Sequence, residues 1–128
     1  TRPIATQASA SANLLVAAFL SQSFEQAGIY MEEDLFHEPY RLDLIPHSRA
    51  LKIAAKKAGA FGTCISGAGP TLLSLVQKGK EMEFISQMKD SFPSFEFVPT
   101  SINKTGIVSL KQKPSKEVSK RPPQLSSI

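Results

Sequence analysis

The apolar positions of the chain change their period along its length, and those changes divide it into elements. Ala8, Ala12, Leu15 and Phe19 recur at helical spacing with no intervening proline, which predicts a helix over Ala8 to Gln26. Gly28 reads as its stop, a shorter helical piece runs from about Ile29 to Phe36, and Pro39 ends that piece. Pro46 opens a third helix through Ala58, at a first-turn position that proline tolerates. Its apolar face is Ala50, Leu51, Ala54 and Ala58, while Arg49, Lys52 and Lys56 share the opposite side and Gly59 caps the end.

From Ala60 the period is that of strands. Ala60 to Ser66 and Thr71 to Gln77 are short runs rich in Ile, Val, Thr and Leu, joined by Gly67-Ala68-Gly69-Pro70. Glu81 to Asp90 is amphipathic again through Met82, Ile85 and Met88, and Pro93 breaks it. Phe95 to Val98 and Gly106 to Leu110 read as two further strands. Helices followed by a strand–strand–helix–strand unit predict an α+β fold with an antiparallel sheet and packed helices.

With 128 residues, 41% of them hydrophobic and 20% charged, the chain can bury one core, which excludes wholesale disorder. The longest uncharged apolar run, Ala12 to Leu20, is too short to span a bilayer, and Thr1 to Ser11 lack a secretory pattern. Neither a transmembrane nor a secreted segment is therefore expected. The single cysteine, Cys64, reads as a buried cytosolic thiol, and no metal site is expected from it and two distant histidines.

The net charge of +4 resides in the tail. Lys111, Lys113, Lys116, Lys120 and Arg121 face one acid, Glu117, so the first 110 residues are electrically balanced. That division predicts a folded domain over 1–110 and a disordered, solvated Pro/Ser/Lys-rich tail over 111–128. A nucleic-acid role would rest on the tail alone, because the folded part has no basic stripe with interleaved aromatics.

Two segments could carry chemistry. Ser66-Gly67-Ala68-Gly69-Pro70-Thr71 has two glycines that let the backbone approach a ligand, and its exposed N–H groups could form an anion nest. It lacks the Gly-Lys-Ser/Thr ending of a P-loop, and a tight strand connection accounts for the same residues. Asp34-Leu35-Phe36-His37-Glu38-Pro39-Tyr40-Arg41 brings an acid, an imidazole and a guanidinium into eight residues. Arg41 has the planar fork that grips a carboxylate through two parallel hydrogen bonds. An ordinary surface arginine and a helix-end histidine are the bland alternatives.

Taken together, the segments resemble the C-terminal part of the homoserine kinases, within the GHMP family of small-molecule kinases. "DLFHEPYRLDLIP" is similar to that group's Asp…His-x-Pro-x-Arg…Ile-Pro stretch, and "GAFGTCISGAGPTLLSL" to the family's third motif. "SANLLVAAFL" is similar to the preceding helix, and the resemblance covers about residues 8 to 110. It implies a ferredoxin-like C-terminal domain whose loop of Ser66, Gly67, Ala68, Gly69, Pro70 and Thr71 supports nucleotide phosphates. It also implies that Arg41 binds the substrate α-carboxylate, with Asp34 and His37 shaping that pocket.

The implied reaction is ATP-dependent phosphorylation of the homoserine hydroxyl to O-phosphohomoserine in threonine biosynthesis, in the cytoplasm. ATP and Mg²⁺ would be bound mainly by an N-terminal domain, whose Pro-x-x-x-Gly-Leu-Gly-Ser-Ser-Ala segment does not occur here. No residue of this chain is assigned to catalysis itself. Expected partners are homoserine, ATP, the N-terminal kinase half in cis or in trans, and a second copy in a homodimer. Alone, the chain is expected to be inactive. A non-catalytic amino-acid-binding or interaction module derived from this fold is the alternative.

Overall fold

In the computed structural model, which describes residues 1–109, the chain opens with the 19-residue helix α1 (Arg2–Leu20). It starts earlier and stops earlier than its apolar spacing predicts. The stop is a Schellman turn: the Gln22 N–H reaches Phe19 O at 3.2 Å and the Ser23 N–H reaches Ala18 O at 2.9 Å. Gln22 takes the left-handed φ of 58° that such a turn requires. By length and composition α1 could cross a membrane, which the Ala12–Leu20 run alone did not suggest. The same properties suit a helix that packs against protein, and α1 lies on α2 (Phe24–Met31).

Gly28 is not a helix stop. It lies inside α2 at the point where that helix meets the start of strand β1 (Gly62–Ile65). A Cβ on Gly28 would lie 2.0 Å from the Phe61 carbonyl oxygen, and one on Gly62 would lie 2.3 Å from the Gly28 carbonyl oxygen. Two glycines face to face therefore let helix and strand backbones touch.

The helical piece expected over Ile29 to Phe36 ends at Met31, and a separate four-residue helix, α3 (Glu38–Arg41), follows. Pro39 does not terminate a helix but sits in the first turn of α3, where its missing N–H costs nothing. A 3₁₀ turn, Leu42–Leu44, leads to α4 (Ser48–Lys57). Pro46 precedes α4 by two residues instead of opening it, and His47, with φ of 62°, makes the entry turn. Gly59 ends α4 as expected: its φ is 99°, and the Ala60 N–H reaches back to Ala55 O at 2.9 Å.

Strand β1 pairs antiparallel with β2 (Leu72–Leu75), with Thr63 opposite Ser74 and Ile65 opposite Leu72. Beyond β2, α5 (Glu81–Ser91) buries Phe84, Ile85 and Met88 against Leu51 and Ala55 of α4 and against Ala60. Met82, expected on this face, is exposed, as is Ala50 of α4. Lys52 is not on a solvated side either, since its side chain is only 17% exposed.

The described residues thus form the expected α+β arrangement, with an antiparallel sheet of two strands. Phe95 to Val98 is not a strand: Phe92, Phe95 and Phe97 pack on the α4–α5 core, so side chains hold this segment without a ladder. Prolines 93 and 99 bracket it and remove two donors that a ladder would use. Residues 106–109 form no strand, and Leu110 and the tail at 111–128 lie outside the described residues.

Candidate functional site

The two segments singled out in the sequence meet in space. The Arg41 guanidinium donates from Nη1 to the Ala68 carbonyl oxygen at 2.7 Å, across 27 residues of chain. The helix that carries Arg41 is short, and its start is organised by Asp34. The Asp34 carboxylate accepts the N–H groups of Phe36 at 2.8 Å, His37 at 3.1 Å and Glu38 at 3.1 Å. Burial raises its pKa, yet these three hydrogen bonds and the nearby His37 together hold the carboxyl below its ordinary 3.8. Asp34 therefore works as a cap on α3. His37 stands at the helix entry with its side chain 72% exposed, its Nδ1 3.7 Å from Asp34 Oδ2.

The loop is a closed turn between β1 and β2. The Ser66 N–H donates to Thr71 O at 2.9 Å, and the Gly69 N–H to Ser66 O at 3.1 Å. Gly67 and Gly69 both have positive φ, 58° and 80°, which explains glycine at those two positions. Among the described residues, the adjacent N–H groups of Gly67 and Ala68 have no protein acceptor, and both residues are exposed. Two neighbouring donors at a left-handed turn suit an anionic oxygen. Pro70 and Thr71 leave the loop beside a shallow cleft of about 410 Å³, which Ile45 and His47 also line. Arg41 lies on the loop but does not line that cleft.

Four charged side chains next to this site form two ion pairs that sequence reasoning did not foresee. Glu38, only 4% exposed, accepts the Ile65 N–H on Oε2 at 3.2 Å, and its Oε1 pairs with the Lys52 ammonium. Glu32 repeats the arrangement two residues earlier along the strand. It accepts the Thr63 N–H at 2.8 Å and pairs with Lys56 at 3.5 Å. The edge of β1 that β2 leaves free is thus closed by two carboxylates, each balanced by a lysine of α4. An i, i+4 lysine pair is the signal available in the sequence, but acids at 32 and 38 carry no matching period.

Cys64 lies between these two contacts. Burial, followed by the negative charge of Glu38, pushes its thiol above the ordinary value, which disfavours a nucleophilic thiolate. The described residues contain no cluster of three or more His, Cys, Asp or Glu side chains able to hold a metal ion.

Residues 15–94 match the sequence model of the family described as GHMP kinases C terminal. The chain is 43% identical over 104 residues to the homoserine kinase of Bacillus velezensis, an overlap covering 81% of this chain and 34% of the relative. It is 55% identical over 78 residues to the homoserine kinase of Oceanobacillus iheyensis, covering 61% and 26% of the two. The fold is similar to a crystal structure of homoserine kinase from Cytophaga hutchinsonii, with a TM-score of 0.64 and 30% identity. That overlap covers 73% of this chain and 30% of the other. The chain spans about a third of the length of the curated relatives it matches.

Proposed function

Since the chain belongs to the GHMP kinase family, we propose that it supplies the substrate side of a homoserine kinase. The observation that carries this reading is the bond from Arg41 to Ala68, which brings a guanidinium suited to a carboxylate onto a glycine loop suited to an anion. With Nη1 spent on the loop, the guanidinium keeps further donors for the α-carboxylate of homoserine. Asp34 holds the backbone turn from which Arg41 projects, and His37 borders the same surface. The N–H groups of Gly67 and Ala68, without a protein acceptor among the described residues, would receive phosphate oxygens of ATP, and Ser66, Gly69, Pro70 and Thr71 shape the turn that presents them.

In the reaction, the homoserine hydroxyl oxygen bonds to the γ-phosphorus as the bond from that phosphorus to the ADP oxygen breaks. The hydroxyl proton leaves with a base or solvent, and the products are O-phosphohomoserine and ADP. Such transfers depend on positioning and on neutralising phosphate charge. This chain contributes the positioning: Arg41 fixes the amino acid by its carboxylate, and the loop supports the nucleotide side. ATP and Mg²⁺ are assigned mainly to the part of the enzyme that corresponds to the other two-thirds of the relatives. The setting is the cytoplasm, where ATP and free amino acids coexist, and the product serves threonine formation.

Arg41→Lys tests this reading. A lysine can meet either Ala68 O or the carboxylate as a point charge, but it cannot offer two parallel donors. Losing one charge-assisted hydrogen bond removes about 1.5 to 3 kcal/mol, so homoserine should bind about ten- to a hundredfold more weakly. 3-Aminopropan-1-ol, which lacks the carboxylate, should bind equally poorly to both proteins. Equal loss of both ligands, or unchanged homoserine affinity, would refute the clamp. Detectable homoserine binding that supports no phosphoryl transfer in an assembled enzyme would instead favour a non-catalytic amino-acid-binding module.

A further inference from the structure

The four-residue helix α3 grips the glycine loop in two places. Arg41 holds its tip through Ala68 O, and Glu38, one helical turn earlier, holds its root through the Ile65 N–H. Ile65 directly precedes Ser66, the residue whose N–H and C=O close the loop. A carboxylate whose side chain is only 5% exposed is costly to bury alone, and Lys52 of α4 balances it. No atom of Glu38 is needed for the carboxylate clamp or the phosphate turn, so its burial calls for its own account.

We propose that Glu38, paired with Lys52, is a positioning residue that registers the Arg41 clamp against the phosphate-side loop. This rests on the homoserine kinase reading, but its structural half is measurable without it. A helix of four residues has too few internal hydrogen bonds to hold its own orientation. Asp34 fixes the start of α3, and its tilt toward β1 is set by the Glu38 carboxylate bound to a strand N–H. The Arg41–Ala68 bond is then made without a search, and substrate carboxylate meets a guanidinium already aligned with the loop. Glu32 provides the internal comparison: it binds the next free strand N–H, that of Thr63, but lies before Asp34, and among the described residues its hydrogen bonds go to Thr63 and Lys56 and not to the loop.

The experiment compares the 128-residue chain with Glu38→Leu/Lys52→Met, Glu38→Asp and Glu32→Gln. Replacing a buried ion pair by apolar side chains of similar volume is often neutral for stability, so the double variant separates folding from positioning. Glu38→Asp keeps the charge but shortens the reach to Ile65, and it serves should the double variant fail to fold. Three quantities are read: the unfolding midpoint, amide exchange at Ile65 and Gly69, and homoserine affinity from amide shifts at Ala68. The double variant should melt near wild type, yet exchange the Gly69 amide about tenfold faster and bind homoserine about tenfold more weakly, a loss on the scale of one hydrogen bond. Glu38→Asp should shift both in the same direction, and Glu32→Gln should speed exchange at Thr63 alone. Wild-type behaviour of the loop in both Glu38 variants, or an equal effect from Glu32→Gln, would overturn the proposal. If the wild-type chain binds no homoserine, the functional reading falls, while exchange at Gly69 still decides whether Glu38 positions the loop.

Discussion

Gly28→Ala sets two physical effects against each other, and the structure decides the sign. On helix propensity alone the change is favourable, because alanine in a helix interior is better than glycine by about 1 kcal/mol. The new Cβ, however, would stand 2.0 Å from Phe61 O, 2.2 Å from Phe61 C and 2.9 Å from Gly62 N. All three are backbone atoms, so no side chain can rotate away. Restoring ordinary contact of 3.4 Å requires α2 and the start of β1 to separate by about 1.4 Å. Overpacking of this kind costs about 3 kcal/mol at the upper end of its usual range. After subtraction of the propensity gain, a net loss of about 2 kcal/mol remains, or about 10 °C in the unfolding midpoint of a domain this size. Urea denaturation followed by circular dichroism measures it. Gln26→Ala, an exposed site on the same helix, should stay within about 0.5 kcal/mol of wild type. A Gly28→Ala protein as stable as wild type, or more so, would show that the helix–strand contact is not as close as described.

Asp34 provides a pH signature. Its folded carboxyl titrates below 3.8, so its stabilising effect is complete above that value and is lost as pH falls through the lower, folded one. Asp34→Ala should lower stability at pH 7 by about 1 kcal/mol and flatten the decline in unfolding midpoint between about pH 5 and pH 3. An unchanged acid profile would mean that the three N–H groups find other acceptors. Cys64, half-buried with a raised thiol pKa, should react with iodoacetamide at pH 8 at least about tenfold more slowly than a free thiol, and at the free rate once unfolded in urea. Equal rates in the folded and unfolded chain would contradict its placement between the Glu32 and Glu38 contacts.

What could be read from residues alone follows from how local each signal is. Gly59 announces the end of α4 because a left-handed cap is a property of one residue, whereas Gln22 makes the same turn without glycine and leaves no mark. Gly28 looks like a stop for the same reason, since only the neighbouring strand reveals that it permits a close approach. The hairpin around Gly67-Ala68-Gly69-Pro70 is legible because turn and strands are contiguous. Phe95 and Phe97 carry strand character, but with no partner edge beside them they pack as side chains on α4 and α5. At the site, Arg41 and the loop could be named from residue chemistry. Lys52 could not, because its helical position reads as solvated until the Glu38 carboxylate is placed beside it. Pairings between residues 14 or 27 positions apart, as in Lys52–Glu38 and Ile65–Glu38, leave no periodic trace.

The most direct measurement of the central claim is homoserine-dependent ADP release, coupled to NADH oxidation. It would use this chain alone and this chain joined to the N-terminal two-thirds of the Bacillus velezensis homoserine kinase. The chain alone should release no ADP above background, since the proposed reading gives its described residues only a substrate clamp and one supporting loop and leaves the phosphate cradle to the N-terminal part. The joined protein should turn over with homoserine, and Arg41→Lys in it should reduce kcat/KM for homoserine about ten- to a hundredfold while the KM for ATP stays close to that of the parent. Turnover by the chain alone, or a folded joined protein that ignores homoserine, would contradict the assignment of Arg41 and its loop to the substrate side of a homoserine kinase.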